Sequence, residues 1–234
     1  MKPTFLMLLL FCGGVELSSQ TIVQQFAAVS AGAGQVSDMD LNQPTGQGSV
    51  LIAMPEMLSP GIKVLSVTDD APDGGNTYKQ IKDASSSCEN RPIEIWYCEN
   101  CKAGVTELKF HLSGHVQGSI NAFFEVSDMA LSSVLDGNGA HISDGAANSE
   151  GQEIGPKIAT TTTDFIIARY SSSSHPTGGR PADWTFKPAY AYGKQLLAGS
   201  YQPTLTVESA GGKFCMSVAA FKTATPPPAP KASR

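Results

Sequence analysis

Residues 105–112, "VTELKFHL", indicate the class of fold. Apolar and polar residues alternate here without interruption, and the two sets are Leu108, Phe110, Leu112 and Glu107, Lys109, His111. Successive side chains of an extended strand point to opposite faces, so this pattern gives one apolar and one polar face. The stretch therefore predicts a half-buried antiparallel strand whose apolar face lies on a core.

Similar strand-like segments recur on both sides of this stretch. Residues 21–29 predict a first strand, which a flexible "SAGAG" follows, and residues 48–57 form a continuous apolar run. Clusters of Gly, Asn, Asp and Pro separate the segments at the intervals of a sandwich or barrel, and helical periodicity is rare. We predict an all-β chain, folded as one jelly-roll-like antiparallel β-sandwich domain over residues 20–223.

The two ends of the chain differ from this domain. Residues 1–19 place a lysine before an apolar run and small residues after it, which is the layout of a secretory signal peptide. A lipid anchor at Cys12 is disfavoured because Phe11, a large residue, precedes it. Residues 224–234 are rich in proline, which lacks a backbone donor, so we expect a disordered tail. We predict a secreted protein of the extracellular space or cell surface, with no membrane span.

Composition limits the classes of partner. The net charge is −5, and only 16% of residues are charged. The chain therefore lacks the basic footprint of a nucleic-acid-binding protein. Abundant Gly, Ser and Thr with low charge are typical of extracellular β-rich proteins. A polysaccharide or a cell-surface glycan is the candidate partner because of the aromatic residues described below, and a homo-oligomer is an open alternative.

Four cysteines follow the predicted signal peptide. Cys98 and Cys101 are spaced as a redox pair, as half of a zinc site with His111 and His115, or as a disulfide across a turn. A redox motif or a zinc finger needs a helix beside it, whereas strands flank this one, so we predict a Cys98–Cys101 disulfide. A strand separates Cys88 from Cys98 by more than a disulfide can reach, and Cys88–Cys215 follows by elimination.

Two acidic stretches raise the question of calcium. Asp69, Asp70, Asp73 and Asn76 fall within eight positions, and a second stretch carries Asp136, Asn138 and Asp144. Calcium binds clustered carboxylate and carbonyl oxygens on loops. Because Asp, Asn and Gly are also ordinary turn residues, calcium stays a candidate cofactor beside the interpretation that these are plain turns.

Aromatic residues suggest a sugar-binding surface in the irregular stretch 171–195. It carries Arg180, Trp184, Tyr190 and Tyr192, and aromatic faces backed by polar groups can stack on sugar rings. The alternative is that Trp184 and Phe186 pin a crossover loop to the core. Trp96 and Glu94, which share one strand face, form a second candidate platform that could equally face the other sheet.

Catalytic motifs are not found in the sequence. There is no G-x-S-x-G elbow, and the four histidines are scattered. A glycosidase needs two carboxylates at one cleft, and nothing in the sequence pairs Glu94, Glu107, Glu125 and Asp128. We therefore predict a protein that is not an enzyme, with a jelly-roll polysaccharide-active enzyme as the third choice.

The order of segments resembles a family of bacterial secreted or surface β-sandwich domains. The resemblance rests on "GSVLIAMPEM", "SVTDDAPDGGNTY", "IEIWYCENCKAG", "FFEVSDM", "TTTTD" and the closing "AAFK", and covers residues 21–222. It implies a sandwich fold and an exported protein, and it carries over no catalytic residues. The cysteines are not part of the shared pattern.

These observations predict an exported, non-catalytic surface binding or adhesion protein that takes a glycan. The alternative is a structural subunit of an extracellular assembly or filament, in which edge strands or the N-terminal segment pair between chains.

Overall fold

The computed structural model describes residues 20–82, 86–88, 91–143, 151–172, 176–208 and 213–224. The predicted signal peptide and the tail from residue 225 onward lie outside these ranges. Within them the chain forms β-strands in several antiparallel sheets that pack against one another, which confirms the predicted all-β sandwich. Among the described residues, no helix is long and apolar enough to cross a membrane.

The N-terminal half of the chain forms the first sheet. Its strands are β1 (Thr21–Asp40), β2 (Val50–Met57), β3 (Val64–Asp69), β4 (Lys79–Gln80), β5 (Ser86–Cys88), β6 (Arg91–Ile93), β7 (Trp96–Cys98) and β8 (Glu107–Ser127). The long strand β8 lies at its centre, where it pairs with β1 on one side and with β3 and then β2 on the other. The expectation of a flexible "SAGAG" is corrected, because β1 continues through it with shifts of register on β8.

The C-terminal half forms the second sheet and two small ones. The second sheet has the order β14 (Thr185–Phe186), β15 (Tyr190–Leu196), β12 (Asp164–Ser172), β18 (Phe214–Lys222), β9 (Leu135–Ser143). One small sheet joins β10 (Gln152–Ile154), β17 (Thr204–Val207) and β13 (Pro176–Arg180), and the other joins β11 (Ile158–Thr160) and β16 (Gly199–Tyr201).

The central core lies between the two large sheets. Phe124 of β8 packs on Phe165, Tyr190 and Tyr192 of the second sheet, with ring centroids 5.9, 5.0 and 5.4 Å away. Tilted and edge-on rings at these separations add attraction to the area that they bury.

Both large sheets are also covered on their outer faces. Leu108 and Phe123 belong to one strand and to one apolar cluster, so β8 curls and brings its first part and β3 over β2 and β7. On the other side of the molecule, Leu205 of β17 packs on Phe214 of β18. This double cover explains why β2 is buried at all eight positions and reads as a continuous apolar run.

One ion pair crosses the central core. The guanidinium of Arg169 on β12 lies 2.7 Å from the carboxylate of Glu56 on β2, and both side chains are buried. Arg169 also donates to the carbonyls of Tyr170 and Ala189, and the Ser171 hydroxyl donates to Glu56. The pair thus ties one large sheet to the other.

Candidate functional site

The "CENC" turn is a structural clip. Cys98 and Cys101 form a disulfide with their Cα atoms 6.0 Å apart, which confirms the predicted pair. The Cys101 amide donates to the Ser49 carbonyl at 3.0 Å, and the Gly48 amide donates to the Cys101 carbonyl at 2.8 Å. Both sulfurs are therefore occupied, and the turn is fastened to the segment that leads into β2.

The other members of the zinc and disulfide predictions lie elsewhere. Nε2 of His111 lies 2.8 Å from the Thr68 hydroxyl on the neighbouring strand. Cys215 is buried and disulfide-bonded. The side chain of Cys88 lies outside the described residues, so the pairing of Cys88 with Cys215 stays a prediction.

The Asp69 carboxylate is the centre of the first acidic loop. Its Oδ1 accepts hydrogen bonds from the amides of Ala71 and Asn76, at 3.1 and 3.0 Å. Its Oδ2 accepts from the Asn76 side chain and the Tyr78 hydroxyl, both at 2.8 Å. Four donors from the loop thus surround this one carboxylate, and the loop folds around it.

The remaining polar groups of this loop face the disulfide turn and β8. Asp70 accepts from the Thr106 amide and hydroxyl and from the Glu107 amide. Burial alone would raise the pKa of Asp70, but these hydrogen bonds outweigh burial and lower it. The Lys102 ammonium donates to the carbonyl of Asp73 at 2.8 Å.

This arrangement serves the loop interpretation of the stretch better than calcium. Asp69 and Asp70 face different donors, and Lys102 puts a positive charge on a carbonyl that a cation would use. The described residues contain no group of three His, Cys, Asp or Glu side chains that could hold a metal ion. The chemistry of the donor set is that of a closed turn.

The second acidic stretch contributes to a pair of carboxyl groups. Asp136 of β9 accepts from the Thr161 amide, from the Thr161 hydroxyl at 2.6 Å and from the Thr162 amide at 3.2 Å. It also shares a hydrogen bond with Asp164, whose other partner is the Thr162 hydroxyl at 2.9 Å. Lys222 lies 3.6 Å from Asp136. Asn138 lies on the same strand β9, and Asp144 falls outside the described residues.

The two carboxyl groups of this pair differ in protonation. Burial is the largest influence on Asp164 and raises its pKa, and the hydrogen bond and charge of Asp136 raise it further, to about 7. Burial acts in the same direction on Asp136, but the hydrogen bonds from the Thr161 hydroxyl and amide outweigh it and lower the pKa to about 2. Between about pH 2 and pH 7 the pair therefore holds one proton, carried by Asp164.

The predicted aromatic platforms are buried. Trp184 is 5% exposed and belongs to the cluster beneath the small sheets, while Tyr190 and Tyr192 belong to the central core. Trp96 is buried above the first sheet, where its Nε1 donates to Glu94 at 2.7 Å. The position of Trp184 matches the alternative in which it pins a loop to the core, whereas Trp96 faces neither solvent nor the second sheet but the cover that β3 and the first part of β8 form over the first sheet. Arg180 alone of the predicted set is exposed, at the end of β13.

A groove lies in the same irregular stretch, beside these buried rings. It encloses about 190 Å³, and its lining residues are Tyr170, Pro176, Thr177, Gly178, Phe186, Lys187 and Pro188. Phe186 and the two prolines supply apolar walls, while Thr177 and Lys187 are exposed polar residues at the opening. From the sequence, Phe186 is expected only to pin a loop to the core, and no local pattern in the sequence marks the groove.

Hydrogen bonds fix the shape of the groove. The Tyr170 hydroxyl donates to the Lys187 carbonyl, and the Lys187 amide donates to the Tyr190 carbonyl at 2.8 Å. The Phe186 ring lies on Gly179, where a Cβ atom would come within 2.3 Å of it. The glycine thus gives the ring its place, and the groove walls are set before any ligand arrives.

The carboxylates considered for glycosidase chemistry have separate partners. Glu125 is buried and accepts from Gln24, from the Gly46 amide and from Ser49, whereas Glu107 lies 3.1 Å from Lys109 on the surface. Burial is the largest influence on Glu94 and raises its pKa despite the hydrogen bond from Trp96. Asp128 accepts from Ser127.

Comparison with known proteins adds no relative to this description. No family model, no curated protein and no solved structure matches the chain.

Proposed function

We propose that this protein is an exported surface adhesion domain that holds a sugar ring in the groove between Phe186 and Pro176. The observation that carries the proposal is the groove itself, a preformed concavity with an aromatic wall, two prolines and polar groups at its mouth. Sugars present apolar ring faces and polar edges, which suit an aromatic surface bordered by hydrogen-bonding groups.

The size of the groove supports a small occupant. Its volume of about 190 Å³ is below the roughly 300–1,000 Å³ of sites that enclose drug-sized ligands. One ring of a glycan fits such a site while the rest of the glycan stays in solvent. The exposed Lys187 ammonium supports a contact with the polar edge of that ring, and the Thr177 hydroxyl, which donates to the Thr206 carbonyl at 3.3 Å, keeps its lone pairs for a sugar hydroxyl.

Preorganisation supports binding as the role of this groove. The Lys187 backbone is held on both sides by Tyr170 and Tyr190, so little ordering remains to be done when a ligand binds. Loops fixed on a rigid scaffold in this way commonly carry binding.

The test is a glycan and polysaccharide panel probed with the chain and with a Phe186→Ala variant. We expect binding to at least one panel member and a loss of about tenfold or more on removal of the ring, which corresponds to roughly 1–3 kcal/mol of stacking and burial. Leu65→Ala is the control, because Leu65 is a large apolar residue that is 64% exposed on β3, away from the groove.

A second variant separates binding from stability. Lys187→Met keeps the alkyl part of an exposed side chain and removes its ammonium, and it should weaken binding severalfold while the unfolding midpoint stays unchanged. A folded wild-type chain that binds nothing on the panel overturns the proposal. So does binding that neither groove variant weakens.

A further inference from the structure

β1 is a long edge strand. Within the described ranges it pairs with β8 alone, over twenty residues from Thr21 to Asp40. A strand with one partner directs about half of its backbone N–H and C=O groups away from that partner. From Ile22 onward, β1 therefore presents a row of hydrogen-bonding groups at the rim of the first sheet.

β-Bulges, which discourage pairing between chains, interrupt β1 near Val23 and between Ala31 and Val36, but the stretch between them, from Gln24 to Ala31, lacks the features that normally keep edge strands apart. Residues 20–37 contain no charged residue and no proline, although about one residue in six of the whole chain is charged. Exposed Lys, inward-pointing charges and proline are the devices that prevent pairing between chains. Val23, Val29 and Val36 are instead exposed along β1, and Val29 is 73% exposed.

The edge strand β9 of the second sheet provides a contrast. It is nine residues long, begins with Leu135–Asp136 and carries His141. Its start is held against the turn at Thr161 by the hydrogen bonds to Asp136. That edge is therefore short and held in place, whereas β1 offers an uncharged and regularly paired stretch between its bulges, from Gln24 to Ala31.

We propose that β1 pairs with β1 of a second copy of this chain, antiparallel, so that two first sheets join into one continuous sheet. A second copy fits because it brings the same uncharged edge, whereas the net charge of −5 makes other surfaces of two copies repel. Antiparallel pairing of identical strands is closed by a two-fold axis and gives a dimer instead of an open fibre. Small residues such as Ala27, Ala28 and Ser30 allow the strands to approach.

This inference does not depend on the proposed sugar site, which lies on β13 and on residues 186–188 of the second half of the chain. A dimer would present two such grooves on one particle. Binding to a surface that carries many copies of a glycan would then gain from simultaneous engagement.

Sedimentation velocity of the chain released by an exporting host, over a range of concentrations, tests the proposal. We expect a dimer for the wild type and for Leu197→Lys, and about tenfold weaker association for Val29→Lys. Leu197 is the matched control because its exposed fraction, 71%, is close to the 73% of Val29, and because it lies in the turn after β15, away from β1. Neither substitution touches a buried side chain, so both variants should fold.

A mixture of variants makes the test specific for self-pairing. Val29→Lys and Val29→Glu should each dimerise weakly alone and recover association when mixed at low salt, because the two paired edges then carry opposite charges. A wild type that stays monomeric at every concentration overturns the proposal, as does a Val29→Lys chain that associates like the wild type. Capture of a foreign extended peptide by a monomeric wild type would assign the edge to another partner and would also overturn the proposal.

Discussion

Asp69 and Asp70 lie in a loop that folds around them, whereas Asp136 and Asp164 face each other at the end of the second sheet. The loop carboxylates have donors to spare: four for Asp69 and three for Asp70. Asp136 also has three protein donors, but Asp164 beside it has one, the Thr162 hydroxyl, and Asp164 keeps a proton that it would lose in water. The difference teaches that acidic residues in one chain can close a turn or store a proton, depending on how many donors surround them.

The largest loss of stability should come from removing the Asp69 carboxylate at the centre of the first acidic loop. Asp69→Ala leaves four donors without their acceptor, two of them backbone amides, and we expect a loss of about 2–3 kcal/mol in the free energy of unfolding. Urea denaturation followed by tryptophan fluorescence measures it. The exposed Asp183→Ala should change stability by less than about 0.5 kcal/mol. A loss for Asp69→Ala no greater than that control would show that the loop does not need its carboxylate.

A single methyl group at Gly137 should disturb the region around Asp136 and Asp164. A Cβ atom on Gly137 would lie 2.3 Å from the Ala159 carbonyl oxygen, so Gly137→Ala should push β9 away from the turn that supplies donors to Asp136. We expect a loss of about 1–3 kcal/mol, typical of overpacking. Gly178→Ala is the control, since nothing lies within 4 Å of a Cβ there. Equal midpoints for the two variants in urea would contradict the close approach.

The stored proton predicts a dependence on pH. The folded-state pKa of Asp164, about 7, lies above its ordinary value of 3.8, so the folded state binds a proton that the unfolded state releases. This contribution to stability is complete below about pH 4 and is lost as the pH rises to about 7. Asp164→Asn keeps an N–H donor toward Asp136 but cannot ionise, so its stability should not fall as the pH rises to about 7. We expect it to raise the melting temperature at pH 8 by about 2–4 °C, which corresponds to roughly 1 kcal/mol.

Melting curves of the wild type and of Asp164→Asn from pH 4 to pH 8 measure this difference. The gain of the variant should grow with pH and level off above neutrality, where Asp164 of the wild type is ionised. Lys222, 3.6 Å from Asp136, moderates the repulsion in the wild type. A gain that is the same at every pH would mean that Asp164 does not hold a proton in the folded state.

The smallest expected effect is that of calcium. Because Lys102 lies on the Asp73 carbonyl and the Asp69 oxygens are filled by protein donors, we expect millimolar calcium or a chelator to leave the melting temperature unchanged. Lys102→Met frees that carbonyl and is the variant in which a calcium effect should first become measurable. A rise in the wild-type melting temperature with calcium would mean that the loop opens to receive the ion.

Much of the fold could be predicted from the sequence because local patterns determine it. The alternation at Leu108 and Phe110 places apolar side chains on one face, and the structure buries both. The continuous apolar run of β2 predicts a strand, although only the structure shows that layers on both faces cause it. Sequence could not show the curl of β8, since that depends on contacts between distant segments.

The candidate site was harder to predict because exposure is decided by tertiary packing. Trp184, Tyr190 and Tyr192 lie in a stretch of irregular composition, where exposed rings are a reasonable expectation. The small sheets and the central core bury these rings instead. Phe186 remains partly exposed because its ring lies over Gly179 of β13, where a residue with a side chain would push the ring away. Such an arrangement between separate strands has no local pattern.

A sequence signal for the ion pair was present. Glu56 is the one charged residue in the apolar strand β2, and Arg169 is the one charged residue in the interior of β12, which begins at Asp164. A buried charge is costly without a partner, so two isolated charges of opposite sign in two core strands predict that the strands face each other. This argument could have placed β2 against β12 before any coordinates.

The Glu56–Arg169 pair also has a consequence for how the two halves of the chain find each other. If the large sheets slid past one another by one residue pair, each charge would enter hydrocarbon alone. Docking in a wrong alignment should therefore be rejected by several kcal/mol, whereas apolar side chains alone would tolerate it. We expect Glu56→Met with Arg169→Met to keep much of the stability and to lose the uniqueness of alignment, visible as broadened or doubled NMR signals from β2 and β12.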